Sequence, residues 1–326
     1  MTFLRLLIAL LILAGLVLGG AYLYGRSQWT APGPLEEATN VVVPRGSTQD
    51  QAAIRLYDGG VIGDMDEFRL LSRVYGGGRH IRAGEFRFPP RVSPAEALNI
   101  LQTAQPVQRR VTIPEGLPSV LVHETIMAAP YLTGSIQVPE EGSVLPNTYN
   151  YERNEPRQAL LDRMQAAMDE TLAELWATRS KDTPVDTPEE AIILASIVEK
   201  ETADPDERPT VAGVYKNRLE IGMPLQADPT IIYPITQGRP LGRRIRRSEI
   251  DAVNDYNTYS MSGLPNGPIA NPGRESIAAV LNPAETDALY FVADGQGGHV
   301  FAETLAEHNR NVARWYEIRR ERGEME

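Results

Sequence analysis

Two glutamates lie two residues apart near the end of a predicted helix, and their environments should differ. The helix covers Thr187–Ala203: it opens with TPEE, the pattern of a capping box, and continues as AIILASIVEKET. At about 100° per residue, Glu201 falls at the centre of the apolar stripe and Glu199 lies about 160° away. Because burial disfavours ionisation, Glu201 should have a raised pKa, which suits a general acid working near neutral pH.

Helix geometry leaves a structural alternative open for Glu201. A buried glutamate can also pair with an arginine, and Arg208 and Arg218 follow closely in the sequence. Glu199 is interpreted as an ordinary solvated or hydrogen-bonded side chain. The position of each residue around the helix therefore makes Glu201 a candidate acid/base residue and Glu199 its internal control.

Other kinds of catalytic site find little support in the composition. The chain has no cysteine, which excludes disulfides, thiolate zinc sites and a cysteine nucleophile. Its four histidines are scattered, with no H-E-x-x-H motif, and we expect His299 and His308 to be hairpin and surface residues. There is no G-x-S-x-G elbow and no P-loop. The net charge of −11 argues against nucleic-acid binding, so carboxylates remain the leading candidates.

The elements around this helix alternate between helix and strand, which predicts an α+β fold. Residues 39–106 should form a small α+β module. Its predicted elements are strands at Val41–Val43 and Gly84–Phe88, helices at Gln51–Tyr57 and Met65–Val74, and a helix capped by Ser93 with Pro94 and Glu96 in its first turn.

Residues 107–326 should form a larger α+β domain that contains the two glutamates. Its other predicted elements are a strand at Arg109–Ile113, a helix at Gln158–Ala177, a hairpin around Asp294–Gly298 and a charged helix at Glu303–Arg322.

The first thirty residues predict a membrane anchor. Leu6–Tyr24 contains nineteen residues without a charge, about 28 Å of helix, enough to cross a hydrocarbon core of about 30 Å. A cleaved signal peptide is the alternative, but the apolar stretch exceeds the usual h-region and no clear A-x-A site follows. We expect residues 1–26 to form a cytoplasmic stub and a single transmembrane helix, and residues 27–38 to form a linker.

Several motifs in a fixed order resemble a known family. IVEKET is followed by VAGVYKNRLEIGMPLQADPTIIY, then by YNTY, GLPNGPIANPG and ALYFVADGQGGHVF. Over roughly residues 109–310 the sequence resembles the endolytic murein transglycosylases of the MltG or YceG-like family, and residues 39–106 resemble that family's small LysM-like module less sharply. The resemblance implies an N-terminal single transmembrane helix, a LysM-like module and a larger catalytic domain.

The resemblance also implies an activity and a location. Such proteins are peptidoglycan lytic transglycosylases, single-pass in the inner membrane with the catalytic domain in the periplasm. They cut nascent glycan strands between N-acetylmuramic acid and N-acetylglucosamine and leave 1,6-anhydro-N-acetylmuramic acid ends. One acid/base suffices, since no external water must be activated. The family's catalytic glutamate is the second of its E-K-E-T motif, here Glu201.

The resemblance implies no cofactor and no metal. The expected partners are peptidoglycan glycan strands and the cytoplasmic membrane, with peptidoglycan synthases as candidate protein partners and no nucleic acid. Six further residues match family motifs and are candidates for substrate binding, with loop rigidity as the alternative for each. They are Gln226, Asp228, Tyr256, Asn257, Tyr259 and Asn271.

Two features need separate interpretation. Asn147, in GSVLPNTY, stands where the family commonly has aspartate, which leaves a turn role rather than a charged one. Five arginines between Arg239 and Arg247 form a basic patch, interpreted as a solvated face or, alternatively, as a contact with anionic wall polymer or lipid headgroups.

Two rival functions remain open from the sequence. A hydrolytic muramidase would need a second catalytic carboxylate, for which Asp228 is the best candidate. A wall-binding scaffold without catalysis would need none. The products separate these functions, because a transglycosylase leaves anhydro ends, a hydrolase leaves reducing ends, and a scaffold cleaves nothing.

Fusing alkaline phosphatase after Trp29 tests the anchor and its orientation. The expected topology carries Trp29 across the membrane, so the fusion should be active in a host whose control fusions are exported. An inactive fusion in that host would contradict the orientation.

Overall fold

Residues 2–324 are described in a computed structural model, and they combine helices with short two-stranded sheets. The chain divides into two units. The first holds the residues up to Arg109 together with Tyr151–Asn154, and the second holds Arg110–Asn150 and the residues from Glu155 onward. The expected mixture of helix and strand is confirmed. The domain boundaries at residues 39 and 107 stay a prediction.

The first unit contains the elements expected for residues 39–106. They are β1 (Thr39–Val43), α2 (Gln49–Asp58), α3 (Met65–Tyr75), β2 (Gly84–Phe88) and α4 (Pro94–Thr103), and the apolar helix α1 (Thr2–Thr30) precedes them. β1 and β2 pair antiparallel, with Val41 opposite Phe86. The predicted cap of α4 is present, since the Glu96 N–H donates to Ser93 Oγ and the Ser93 N–H donates to the Glu96 carboxylate.

The segment that follows the apolar helix is packed. α1 is the helix, among the described residues, that is long and apolar enough to cross a membrane. At its end Trp29 is buried, and Leu35 is buried beyond it, both in the core of the first unit. The Gly33 N–H donates to the Val92 carbonyl at 3.1 Å. Residues 27–38, expected to form a linker, therefore contribute to a hydrophobic core.

The second unit is mainly helical. β3 (Gln108–Thr112) and β4 (Thr148–Glu152) pair in one sheet, and each strand has residues in both units. Within the second unit, β5 (Tyr290–Ala293) and β6 (His299–Ala302) form the predicted hairpin. The helices are α5 (Ser119–Ala128), α6 (Arg157–Ala177), α7 (Pro188–Glu201), α8 (Arg208–Glu220), α9 (Asp228–Thr236), α10 (Arg247–Ile250), α11 (Arg274–Leu281) and α12 (Leu305–Glu321).

α7 is the central helix of the second unit. Its predicted capping box is present: the Glu190 N–H donates to Thr187 Oγ1, and the Thr187 N–H donates to the Glu190 carboxylate. α6, α8, α9 and α11 all pack against it. Ser196, on the face expected to be polar, is as fully buried as Leu194 on the apolar face. The helix is thus buried on both sides, which a single helical wheel does not reveal.

Replacing Trp29 with alanine should destabilise the first unit by about 3–5 kcal/mol, the usual cost of removing a large aromatic side chain from a core. Tyr24→Ala is the control, because Tyr24 lies on the same helix and is 68% exposed. Native-state hydrogen exchange should show faster exchange of α2 and α4 amides in Trp29→Ala only, with α7 unchanged. Unchanged protection of α2 and α4 would show that Trp29 adds nothing to this core.

Candidate active site

A cavity of about 540 Å³ opens beside the C-terminal end of α7. Four of the seven predicted site residues line it: Glu201, Gln226, Asp228 and Tyr259. The other lining residues are Arg218, Leu225, Tyr290, Phe291, Val292, Leu305, His308, Val312, Trp315, Tyr316 and Arg319. One candidate acid/base residue therefore shares a cavity with aromatic, amide and carboxylate side chains.

Glu201 is the last residue of α7, and its carboxyl is in an unusual state. Its Oε1 is buried and has no hydrogen-bond partner among residues 2–324. Burial is the main cause that raises the pKa of Glu201 to about 7, and the charge of Asp228 raises it further. A hydrogen bond from Tyr215 and the charge of Arg218 act in the opposite direction. A carboxyl with its pKa raised toward neutrality is suited both to give and to take a proton near neutral pH.

The buried ion pair, the structural alternative for Glu201, finds no support. Arg208 instead approaches Glu199, at 3.4 Å. Arg218 donates to two backbone carbonyls, at 2.6 and 2.7 Å. Within residues 2–324 no cation lies within ion-pair distance of Glu201, which leaves its carboxyl free to act on a ligand.

Glu199 is a structural carboxylate. Its side chain is 5% exposed, so of the two expected states, solvated or hydrogen-bonded, only the second applies. Its Oε2 accepts from the Ser276 hydroxyl at 2.7 Å and from the Gly273 N–H at 2.9 Å, and Arg208 donates to Oε1. These bonds join α7 to α8 and α11, and they satisfy a charge that burial would otherwise make costly.

Two segments carry the remaining predicted residues of the cavity, and buried hydroxyls join them. One is the loop that leads into the first turn of α9, and the other is the loop with the YNTY motif. The Thr230 and Thr258 hydroxyls are 2.9 Å apart. The Tyr259 hydroxyl donates to Asp228 Oδ1 at 2.7 Å, which orients that carboxylate. Gln226 has a left-handed backbone with φ of 52°, and its side chain is exposed at the cavity. The LQADPT and YNTY motifs therefore build one surface.

Asn257 and Asn271 do not face this cavity. Both side chains are fully buried. The Asn257 amide donates to three carbonyls of residues 249–252. Asn271 accepts from the Val144 N–H and donates to the Leu117 carbonyl. Their polar atoms are already bonded within the protein, which favours the loop-rigidity alternative. Contact of these side chains with a ligand stays a prediction.

Tyr256 lies outside the lining of the cavity as well. Its ring packs on Tyr233, with the centroids 5.0 Å apart. The YNTY motif therefore brings Tyr259 to the cavity, while its first tyrosine serves a neighbouring contact.

The sequence predicted α12 as a charged helix but not that this helix lines the cavity. The expectation that His308 is a surface residue is wrong: it is half-buried, lines the cavity and stacks on Tyr290 at 5.2 Å. Burial and the charge of Arg218 lower the pKa of His308. His299 is a hairpin residue as expected, and its Nδ1 lies 2.7 Å from Glu207.

The basic patch of Arg239–Arg247 and the side chain of Asn147 both have local bonding partners. Three arginines of the basic patch, Arg239, Arg243 and Arg247, pair with acidic side chains at the surface, as a solvated face requires. Asn147 Oδ1 accepts from the Thr148 N–H, a local bond typical of a turn.

Glu201→Gln should stabilise the protein above neutral pH and change little in acid. The native pKa of about 7 exceeds the ordinary value of 4.5, so the unfolded chain ionises first as the pH rises. The stability of the parent is therefore fully present below pH 4.5 and falls up to about pH 7, by at most about 3 kcal/mol. Urea unfolding of parent and variant at about pH 4 and about pH 8 measures this difference. An equal difference at both pH values would contradict the buried, protonated carboxyl.

Comparisons with known proteins place the chain in a family. The sequence profile of the YceG-like family matches residues 41–314. The endolytic murein transglycosylase of Bacillus subtilis is 28% identical over 345 residues, covering 94% of this chain and 93% of that protein. The endolytic murein transglycosylase of Streptococcus pneumoniae is 29% identical, and the match covers 84% of this chain but 57% of that protein. The crystal structure of a putative YceG-like protein from Listeria monocytogenes superposes with a TM-score of 0.54 at 26% identity, covering 84% of this chain and 98% of that one. With most of its length matched by the family profile, this chain belongs to the YceG-like family.

Proposed function

We propose that the protein is a membrane-anchored endolytic lytic transglycosylase of peptidoglycan. The observation that carries the proposal is the buried Glu201 carboxyl, with its pKa raised to about 7, on the wall of an open cavity. Both relatives described above are named endolytic murein transglycosylases. The family match includes the loops that carry Gln226, Asp228 and Tyr259.

In the proposed reaction Glu201 acts first as acid and then as base. Its proton passes to the glycosidic oxygen as the bond between that oxygen and C1 of N-acetylmuramic acid breaks. The C6 hydroxyl of the same sugar attacks C1, and the Glu201 carboxylate takes up the hydroxyl proton. A 1,6-anhydro end forms, the glutamic acid is regenerated, and no water is consumed. A pKa near 7 suits both transfers.

The neighbouring polar groups are suited to hold the sugars. Asp228 accepts from Tyr259, so its second oxygen remains available to a sugar hydroxyl. The Gln226 amide is exposed at the cavity and can both donate and accept. We assign Gln226, Asp228 and Tyr259 to glycan binding, whereas the packing of Tyr256, Asn257 and Asn271 favours support of the loops.

We further propose an inner-membrane location with the second unit in the periplasm and a glycan-positioning role for the first unit. α1 has the length and composition of a membrane span. The order β1, α2, α3, β2, with the two strands paired, supports the interpretation of residues 39–106 as a LysM-like module. Peptidoglycan synthases remain candidate partners on chemical grounds, since they make the strands that this reaction cuts.

One observation favours a hydrolytic muramidase as the second candidate. Asp228 lines the cavity with Glu201, and its charge acts on the Glu201 pKa. A second carboxylate in the same cavity can activate a water in inverting hydrolysis or act as the nucleophile in retaining hydrolysis. The bond from Tyr259 to Asp228 favours a binding role instead.

Mass spectrometry of glycan strands treated with the protein decides between these reactions. We expect 1,6-anhydro ends. Reducing ends would establish hydrolysis, and intact strands would leave a binding scaffold.

Glu201→Gln should lower turnover about 10²–10⁴-fold, the usual contribution of a positioned acid/base. Glu199→Gln is the matched control, two residues away on the same helix. It should lose stability through its weakened bond to Arg208. The oxygen that the glutamine retains can still accept from Ser276 and Gly273 and hold the last turn of α7, so most of the turnover per folded molecule should remain. Turnover is measured well below the unfolding temperature of both variants. An inactive Glu199→Gln beside an active Glu201→Gln would overturn the assignment.

A further inference from the structure

One face of α12 follows the cavity along most of the helix. The residues of this face recur every three or four positions, which places them in one stripe. They are Leu305, His308, Val312, Trp315, Tyr316 and Arg319. From the first to the last, the stripe runs about 21 Å along the helix axis. A wall of that length extends well beyond the single carboxyl at which the chemistry is proposed.

The stripe is held in place without being covered. α12 packs on β5 and β6, and Trp315 and Ile318 lie against Gly295 in the turn between these strands. Yet no residue of α12 is fully buried, and Tyr316 is 43% exposed. Exposed apolar patches rimmed by polar residues often mark ligand-binding grooves. Here the edge of the helix is anchored and its aromatic face remains open to the cavity.

The chemistry of the stripe fits a sugar ring better than an apolar ligand. Trp315 and Tyr316 offer flat apolar surfaces with polar edges, suited to the C–H face and the hydroxyls of a pyranose. Arg319 lies within cation–π distance of Trp315, at 5.8 Å, and adds hydrogen-bond donors at the same place. Asp228 and Arg319 also place charged hydrogen-bonding groups on the cavity wall, which a sugar can use and an uncharged apolar ligand would not need.

The end of the stripe lies outside the part of the chain that the family profile describes. The match ends at residue 314, immediately before Trp315, Tyr316 and Arg319. These side chains therefore belong to a segment whose contribution to the site the family match does not cover.

We propose that Trp315, Tyr316 and Arg319 of α12 form a sugar-binding subsite that holds a pyranose of the glycan strand next to the one that reacts at Glu201. The inference rests on the proposed function and deepens it. The subsite determines how tightly the strand is held, while Glu201 carries the chemistry.

Binding is measured with the full-length protein in detergent, using peptide-free glycan strands purified from peptidoglycan. All variants carry Glu201→Gln so that the strands stay intact. Trp315→Ala and Tyr316→Ala should each weaken binding about tenfold, the size of loss typical of truncated aromatic anchors. Trp315→Phe, which keeps a ring, should recover part of the loss. Glu317→Ala is the control, because Glu317 lies next to Tyr316 but points away from the stripe.

Kinetics with Glu201 intact distinguish a subsite from a merely structural wall. The subsite requires KM to rise in Tyr316→Ala by much more than kcat falls, with an unfolding temperature equal to that of Glu317→Ala. Unchanged binding in both Trp315→Ala and Tyr316→Ala, with the parent binding normally, would overturn the subsite and leave the proposed function standing. A parent that neither binds nor cleaves the strands would overturn the proposed function and the subsite together.

Discussion

The bonding of the Glu199 carboxylate is the interaction on which the site depends. A buried charge is stable only when its oxygens are satisfied, and Ser276, Gly273 and Arg208 satisfy these. Since the three partners lie on or beside α8 and α11, they fix the rotation of the last turn of α7. That rotation leaves Glu201, two residues later, with the opposite environment: a buried oxygen without a partner, facing a cavity.

The two glutamates show how one helix end combines stability and reactivity. The Glu199 carboxylate has hydrogen-bond partners for both oxygens and stabilises the fold through them. Glu201 holds its proton to a higher pH because burial disfavours its charged form. Such a group destabilises the fold whenever it ionises, so the surrounding core must compensate. The fully buried residues of α7, such as Leu194 and Val198, supply that compensation.

Much of this arrangement is local and can be predicted from the sequence. The capping boxes of α4 and α7, the hairpin of β5 and β6 and the direction of Glu201 all follow from short-range patterns. The burial of Glu199 cannot be predicted in this way, because it depends on helices distant in sequence. The same holds for Asn257 and Asn271, whose partners are backbone carbonyls of other segments.

The contribution of α12 to the cavity wall could not be predicted from the sequence for a different reason. Its charged residues dominate the composition and predict a solvated helix, although the spacing from His308 to Trp315 carries a helical stripe. This face of α12 gives only weak hydrophobic periodicity in the sequence, because polar and aromatic residues are mixed along it. Sites built from such faces are found by geometry rather than by periodicity.

The burial of Trp29 has a consequence for how far the protein can reach. α1 has 29 residues, about 44 Å of helix, against a hydrocarbon core of about 30 Å, and it ends inside the core of the first unit. Within α1, the apolar residues that would cross the membrane continue directly into the residues packed in that core. In a chain anchored as proposed, the first unit is held at a nearly constant height above the bilayer. The first unit would therefore meet glycan strands only in a thin layer parallel to the membrane. The local concentration of strands in that layer, rather than diffusion through the wall, would set the rate of encounter.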